Sequence, residues 1–171
     1  MVDPAADPDD DPLIAAMSDL RPATTGTVVA GHGVASGRLA DSPFAAGTIA
    51  LQTPHLREHG IDLGGYHPAT VNLDVAPDEL VLLGPRWTAA QVAWTDVHGP
   101  ETFSFVECRV ARGDVVVDGL VYHPHPETKP AHHQPRTVVE LLLPHLPDLR
   151  TGDRLDVAVA EEQAGFRARR T

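Results

Sequence analysis

The spacing of apolar and polar positions along this chain is typical of a β protein. Short segments alternate apolar with polar residues or are rich in β-branched residues, and Gly, Pro and Asp separate them. This pattern predicts strands in segments 26–33, 47–53, 69–76, 78–84, 90–97, 102–111, 114–123 and 153–160.

Two segments are compatible with more than one structure. Segment 114–123 is a β-branched run interrupted by Asp118 and Gly119, which predicts a hairpin or a bend there. Segment 137–146 contains a Val pair and an early Pro144, and it fits either a helix or a buried strand. About seven to nine short strands separated by turn residues predict an all-β barrel.

The two ends of the chain depart from this pattern. Residues 1–24 are acidic and rich in Pro and Ala, so we expect them to be largely disordered apart from one short helix in segment 13–20. Residues 161–171 are mixed in charge and are predicted to be a loose C-terminal tail. The folded domain is therefore expected to span residues 25–160.

Composition narrows the functional classes. The chain has 171 residues and a net charge of −11 with His neutral, which argues against nucleic acid as a partner because phosphodiester backbones are anionic. No apolar run reaches the roughly 20 residues of a membrane span, so no membrane partner is expected. The acidic N-terminus is unlike a signal peptide, which predicts a cytoplasmic protein. The single cysteine, Cys108, excludes an internal disulfide.

One predicted strand places two neutral polar side chains together. Thr70 and Asn72 share one face of this strand because side chains alternate, and Val71, Leu73 and Val75 share the other. A hydroxyl and an amide are neutral oxygen ligands, and Mg²⁺ combines such oxygens with the phosphate oxygens of a nucleotide. An exposed polar strand face would show the same pattern.

A glycine-rich segment follows the first predicted strand. Small residues separate Gly31, Gly33 and Gly37, and Arg38 comes directly after them. Glycines allow neighbouring main-chain N–H groups to point at one anion, and an Arg adds a charged donor. The spacing is neither that of a P-loop nor that of a dinucleotide-binding motif, so an anion-binding loop and a plain tight loop both fit.

The most histidine-rich part of the chain is also rich in proline. His123, His125 and Glu127, together with His133, suggest a transition-metal site as an alternative reading. Their spacing matches no common zinc motif, and the prolines favour a rigid ligand-binding loop instead. Lys129, the single lysine of the chain, lies in the same segment and is a candidate contact for a phosphate group.

Two further groups of polar residues lie among apolar segments. Asp96, His98 and Glu101 crowd a turn between two predicted strands, and a carboxylate beside a histidine can perform acid–base catalysis. Turn residues are more often simply solvated, and we favour that interpretation. Glu140 lies inside an apolar run, so its carboxylate needs local donors or a polar ligand.

The order of these segments resembles that of the archaeal CTP-dependent riboflavin kinases. The likeness covers roughly residues 25–160 and rests on the segments GTVVAGHGVASGR, ATVNLDV, FSFVECRV, VDGLVYHPHPETK, HHQPRTVVELLLP and LRTGDRLDVAV. The resemblance implies a small six-stranded cradle-loop β-barrel. It also implies transfer of the γ-phosphate of CTP to the ribityl hydroxyl of riboflavin, giving FMN, with Mg²⁺ as the metal ion.

The resemblance also assigns binding roles. Thr70 and Asn72 match the metal-binding Thr-x-Asn segment of the family. The glycine-rich loop and the segment after Glu140 would bind the nucleotide. The expected nucleotide-binding residues are Gly31, His32, Gly33, Gly37, Arg38 and His145.

The acceptor site follows from the same comparison. Glu140 matches a flavin-binding Glu of the family, whereas His132 stands where the family has Thr, so the expected acceptor-binding residues are His132, His133 and Glu140. Glu140 would also orient the reacting hydroxyl, and Lys129 would offset charge in the transition state. Both are therefore the expected catalytic residues.

Some segments differ from the family pattern and leave the acceptor open. Segment 40–65 is additional, and the loop around Arg38 lacks the usual Glu and aromatic residue. The acceptor is therefore riboflavin or a related small alcohol. The partners expected are this small molecule and a nucleotide, for a monomer or a homodimer. Two alternatives are a metal-dependent enzyme that uses the histidine-rich segment, and a nucleotide- or flavin-binding module without turnover.

Overall fold

The computed structural model describes residues 20–31, 47–129 and 134–169. Within these ranges the chain is mostly β, with one helix and nine strands. In chain order the elements are β1 (Ala23–Val29), α1 (Thr48–Glu58), β2 (Val71–Asp74), β3 (Asp78–Leu82), β4 (Trp87–Val92), β5 (Glu101–Arg112), β6 (Val115–Pro124), β7 (Val138–Leu142), β8 (Arg154–Val159) and β9 (Ala164–Ala168).

Six strands form a closed antiparallel ring. They are adjacent in the order β5, β6, β7, β2, β1 and β8, and β8 pairs with β5 again to close the ring. β4 extends the sheet beyond the ring, where it pairs with the first part of β5. The prediction of a mostly β fold is therefore confirmed.

Alternation along the six strands gives the ring an apolar interior. Each strand contributes buried side chains to one cluster, which includes Val28, Leu73, Val106, Val121, Leu141 and Val157. Leu73 and Leu141 are fully buried, and removal of such side chains from water is the main force that stabilises the ring. We call this group the ring cluster.

The other face of three ring strands packs against α1. Phe103 and Phe105 of β5, Tyr122 of β6 and two helix residues, Ile49 and Leu56, belong to a second buried cluster. The ring centroids of Phe103 and Tyr122 are 5.5 Å apart, and the two rings are stacked. This outer cluster holds α1 against the outside of the ring.

The helix itself corrects one prediction. Segment 47–53, predicted as a strand, is instead the beginning of α1. Ile49, Gln52 and Leu56 are buried, and spacings of three and four residues mark one face of a helix. Within segment 47–53, Ile49 and Leu51 alternate with small or polar residues, and this pattern is also typical of a strand. Within the described ranges, no helix has the length and apolar character needed to cross a membrane.

The C-terminal segment also corrects a prediction. β9 lies inside residues 161–171, which were predicted to be a loose tail, and it pairs with all five residues of β3. Phe166 is fully buried in the ring cluster. β1 likewise begins at Ala23, inside the predicted N-terminal tail. The predicted short helix in segment 13–20 lies outside the described residues except for Leu20.

Three strand predictions change in detail. β6 continues without interruption through Asp118 and Gly119, so the predicted hairpin or bend is wrong. A Cβ atom at Gly119 would lie 2.5 Å from Leu143 Cδ2, which shows that close packing rather than a turn requires glycine. Segment 137–146 contains a strand, β7, and no helix. β4 begins and ends earlier than the predicted segment 90–97.

We expect Phe166→Ala to lower the free energy of unfolding by about 3–5 kcal/mol, because a large side chain is lost from the ring cluster. Urea unfolding followed by tryptophan fluorescence measures this change. Glu161→Ala, at an exposed position of the same segment, is the control and should change stability by less than about 0.5 kcal/mol. Equal and small effects of both variants would show that β9 contributes little to the fold.

Candidate functional site

Thr70 and Asn72 lie on the outer face of the sheet, at the beginning of β2. Leu73 points into the ring cluster, so its neighbour Asn72 points to the opposite side. β2 pairs with β7 so that Asn72 lies directly across from Glu140. Thr70 Oγ1 donates a hydrogen bond of 3.5 Å to Glu140 Oε1. The structure thus brings two predicted metal ligands and one predicted acceptor-binding residue together.

This row of side chains continues to β6 and α1. Tyr122 lies across from Glu140 on β6, and its hydroxyl donates a hydrogen bond of 2.9 Å to Gln52 Oε1. Burial raises the pKa of Tyr122 well above its usual range, and the negative charge of Glu140 raises it further. The phenol therefore stays protonated and remains a donor to α1.

Glu140 is a buried carboxylate that receives few stabilising contacts from the described residues. It is 9% exposed, and burial raises its pKa, whereas the positive charge of Lys129 and the hydrogen bond from Thr70 lower it. The 3.5 Å contact with Thr70 is long for a hydrogen bond between oxygens, and the described residues give this carboxylate no shorter one. A carboxylate in this setting favours a cation or a polar ligand.

The amide of Asn72 is enclosed from two sides. Gln134 Nε2 donates a hydrogen bond of 3.1 Å to Asn72 Oδ1. A Cβ atom at Gly31 would lie only 2.1 Å from Asn72 Nδ2, so the chain that leaves β1 passes directly over this amide. The glycine-rich segment therefore begins beside the predicted metal ligands.

A cleft of about 530 Å³ opens where β6 and β7 separate. Tyr122 and Glu140 are the last residues paired between these two strands, and β3 and β9 line the cleft from the other side. Leu80 contributes apolar surface, while Lys129 and Arg136 contribute positive charge. The volume lies in the range of small-molecule sites in proteins.

The described residues of the histidine-rich segment do not come together as the transition-metal site that was considered as an alternative. His125 uses both ring nitrogens, since Nδ1 is 3.0 Å from Glu127 Oε1 and Nε2 is 2.8 Å from Ser104 Oγ. Burial lowers the pKa of His123, whose ring centroid is 5.3 Å from that of His125. No three His, Cys, Asp or Glu side chains among the described residues come together as a metal site. His133 lies outside those ranges.

Asp96 is exposed, as expected for a solvated turn, whereas Glu101 at the beginning of β5 is buried. Glu101 is 4% exposed and accepts a hydrogen bond of 2.7 Å from Trp94 Nε1. His98 Nε2 lies 3.8 Å from the same carboxylate, and the imidazole packs edge-on against the indole with centroids 5.2 Å apart. Because Trp94 belongs to the outer cluster, these contacts connect Glu101 and His98 to that cluster.

The remaining predicted residues divide into two groups. His145 follows β7, and its ring centroid is 5.5 Å from that of His67, which precedes Thr70 by three residues. The others lie outside the described residues: His32, Gly33, Gly37, Arg38, His132 and His133.

Sequence reasoning missed three contributors to this region. Tyr122 and Gln134 contact the site from β6 and from the segment before β7, and Ser104 binds His125 from β5. Each contact joins residues that are far apart in the chain. No local sequence pattern reveals such contacts, because they depend on the tertiary arrangement.

Comparison with known proteins does not identify the chain. No protein-family model matches it, and no curated protein matches it significantly.

Glu140→Gln should change the pH dependence of stability. Since the pKa of Glu140 is raised in the folded protein, the protonated carboxyl contributes stability that is complete below the ordinary value of 4.5 and is lost as the pH rises through the folded-state pKa. Gln does not titrate, so the stability of the wild type relative to the variant should fall as the pH rises above 4.5. Urea unfolding at several pH values measures this difference.

Glu58→Gln, at the exposed end of α1, is the matched control for loss of a carboxylate. A difference between the wild type and Glu140→Gln that stays constant over this pH range would contradict the raised pKa.

Proposed function

We propose that this protein is a magnesium-dependent phosphotransferase that moves the γ-phosphate of a nucleoside triphosphate to the hydroxyl of a small alcohol. One observation carries the proposal: Thr70, Asn72 and the buried Glu140 are grouped on one face of β2 and β7, with Gly31 packed against Asn72.

The donor atoms of this group fit a hard divalent cation. The hydroxyl of Thr70 and the amide oxygen of Asn72 are neutral oxygen donors that can bind Mg²⁺, and the Glu140 carboxylate lies beside them. Thr70 and Asn72 are neutral, so much of the balancing charge would come from the nucleotide phosphates. A bound Mg²⁺ would offset the negative charge of the phosphoryl group in transfer.

The beginning of the glycine-rich segment supports a phosphate site. Gly31 has no side chain, and none would fit between this position and Asn72. Glycine is therefore required here for the close contact with Asn72, and main-chain N–H groups of the glycine-rich segment would be the donors to phosphate oxygens beside the metal.

The cleft beside Glu140 is the proposed acceptor site. In the reaction, the bond between the γ-phosphorus and the bridging oxygen breaks, and the acceptor oxygen forms a new bond to phosphorus. The proton of the acceptor hydroxyl passes to the Glu140 carboxylate, for which a raised pKa is favourable. Lys129 also lines this cleft and would offset the charge that develops on the transferred group.

The particular substrates rest on resemblance. CTP as donor and riboflavin as acceptor are inferred from the motif order shared with the archaeal riboflavin kinases. The closed ring of six strands has the strand number of a cradle-loop barrel, which supports the same inference.

Asn72→Ala should abolish phosphoryl transfer, with a loss of at least about 100-fold, because one proposed metal ligand is removed. The assay follows FMN formation from CTP, Mg²⁺ and riboflavin, after a thermal-shift panel of nucleoside triphosphates and small alcohols has shown which ligands bind. Thr25→Ala, which removes an exposed hydroxyl that bonds Asp156, is the control and should retain activity.

The melting temperature of Asn72→Ala should stay within a few degrees of the wild type, since about 1 kcal/mol of hydrogen bonding to Gln134 is lost. Normal turnover by this variant would exclude the metal assignment. Saturable binding by the wild type with no product would instead support a binding module without turnover.

Gly31→Ala should weaken binding of magnesium–CTP by about tenfold or more, since the new methyl group displaces the Asn72 amide or the chain above it. Isothermal titration calorimetry measures the Kd. Gly65→Ala is a matched control, because a Cβ atom at Gly65 would meet no atom within 4 Å. Equal affinities of the two variants for magnesium–CTP would show that Gly31 is not part of the nucleotide site.

A further inference from the structure

The turn that precedes Lys129 is held to the sheet by the side chain of His125. The imidazole joins Ser104 Oγ at 2.8 Å to Glu127 Oε1 at 3.0 Å. Ser104 is 2% exposed, and its hydroxyl is also 2.8 Å from Thr88 Oγ1 of β4. One edge of the imidazole is therefore bound by the buried hydroxyl of Ser104 and the other by a surface carboxylate.

Main-chain hydrogen bonds close the same turn. The N–H of His125 donates to Thr102 O at 2.9 Å, and the N–H of Thr102 donates to Thr128 Oγ1 at 2.9 Å. The N–H of Lys129 in turn donates to His125 O at 3.2 Å. The main chain at Lys129 is thus connected to β5 through His125 and Thr128.

Lys129 reaches the candidate site from this turn. It lines the same cleft as Glu140 and His123. Burial is the larger influence on both groups, but the positive charge of Lys129 lowers the pKa of Glu140 and also that of His123. The lysine charge therefore acts on the groups that surround the proposed acceptor.

Two other functions for this hydrogen-bond chain are less consistent with its geometry. Ser104, His125 and Glu127 have the order of a serine-hydrolase triad, but the Ser104 hydroxyl is buried between β4 and β6, where a substrate cannot reach it. A metal would need a free nitrogen on His125, and both nitrogens already have protein partners.

We propose that His125 is a positioning residue, which joins the buried Ser104 to the turn and thereby holds Lys129 beside Glu140. The predicted effect of His125 on catalysis rests on the proposed function. The predicted effect of His125 on the position of Lys129 can be measured without any enzymatic activity.

Lys129 is the only lysine of the chain, so protein labelled with isotopic lysine gives one lysine side-chain signal in NMR spectra. In the full-length His125→Ala variant this signal should move to the position of a lysine in an unstructured peptide. His125→Gln retains an amide that can reach Ser104, and it should keep most of the wild-type shift. Glu127→Gln should have a small effect because the carboxylate is 70% exposed.

His59→Ala, at an exposed position after α1, is the matched control and should leave the lysine signal unchanged. Ser104→Ala is a second test variant, since it removes the buried partner and retains the imidazole. An unchanged lysine signal in both His125→Ala and Ser104→Ala would overturn the proposal, as would an equal displacement in His59→Ala.

Kinetics test the catalytic consequence by a double-mutant cycle. His125→Ala should lower kcat by about 100-fold, as expected for a misplaced catalytic group, with a much smaller change in the KM for nucleotide. In a protein that already carries Lys129→Ala, the His125→Ala substitution should lower kcat almost no further. Additive losses would show that His125 does not act through Lys129. A wild-type protein without transfer activity would defeat the proposed function, while the NMR experiment would still decide the position of Lys129.

Discussion

The candidate site depends on the burial of one carboxylate, that of Glu140, opposite Asn72. An ionised carboxylate removed from water costs several kcal/mol unless donors or a positive charge compensate it. Here the compensation among the described residues is modest, since Thr70 makes a long hydrogen bond and Lys129 acts through its charge. The described residues therefore compensate an ionised Glu140 only in part, and a buried carboxylate with a raised pKa that lines a cleft is a candidate functional group.

The packing of the ring fixes where this carboxylate lies. Leu73 and Leu141 fill the ring interior, and Asn72 and Glu140 are their neighbours in sequence on the opposite face. A register slip of one residue would move a polar side chain into the ring and a leucine out of it, so the hydrophobic interior enforces the pairing at the site. Closure of the ring through β5 and β8 strengthens this constraint because none of the six strands has a free edge along which to slip.

Local patterns could predict most of the strands and the shared face of Thr70 and Asn72, because both depend on alternation over a few residues. The need of Glu140 for a polar partner also followed from its apolar neighbours in sequence. Contacts between distant segments could not be predicted in this way. The packing of α1 on the outer cluster, the pairing of β9 with β3 and the position of Tyr122 beside Glu140 each depend on which strands become neighbours. The Asp118–Gly119 pair led to an error of a different kind, because a local pattern typical of a turn lies inside a continuous strand. Pairing with β5 and close packing at Gly119 determine the structure there.

The charge of the site explains why a neutral pair of ligands is chemically reasonable. A site of several carboxylates would bind a divalent cation by itself, whereas Thr70 and Asn72 contribute oxygens without charge. In the proposed function the phosphates of the nucleotide contribute the missing negative charge, so metal and nucleotide each increase the affinity of the other. Burial raises the pKa of Glu140, whereas a bound cation would lower it, so in the proposed function metal binding would favour the ionised carboxylate that accepts the proton of the acceptor.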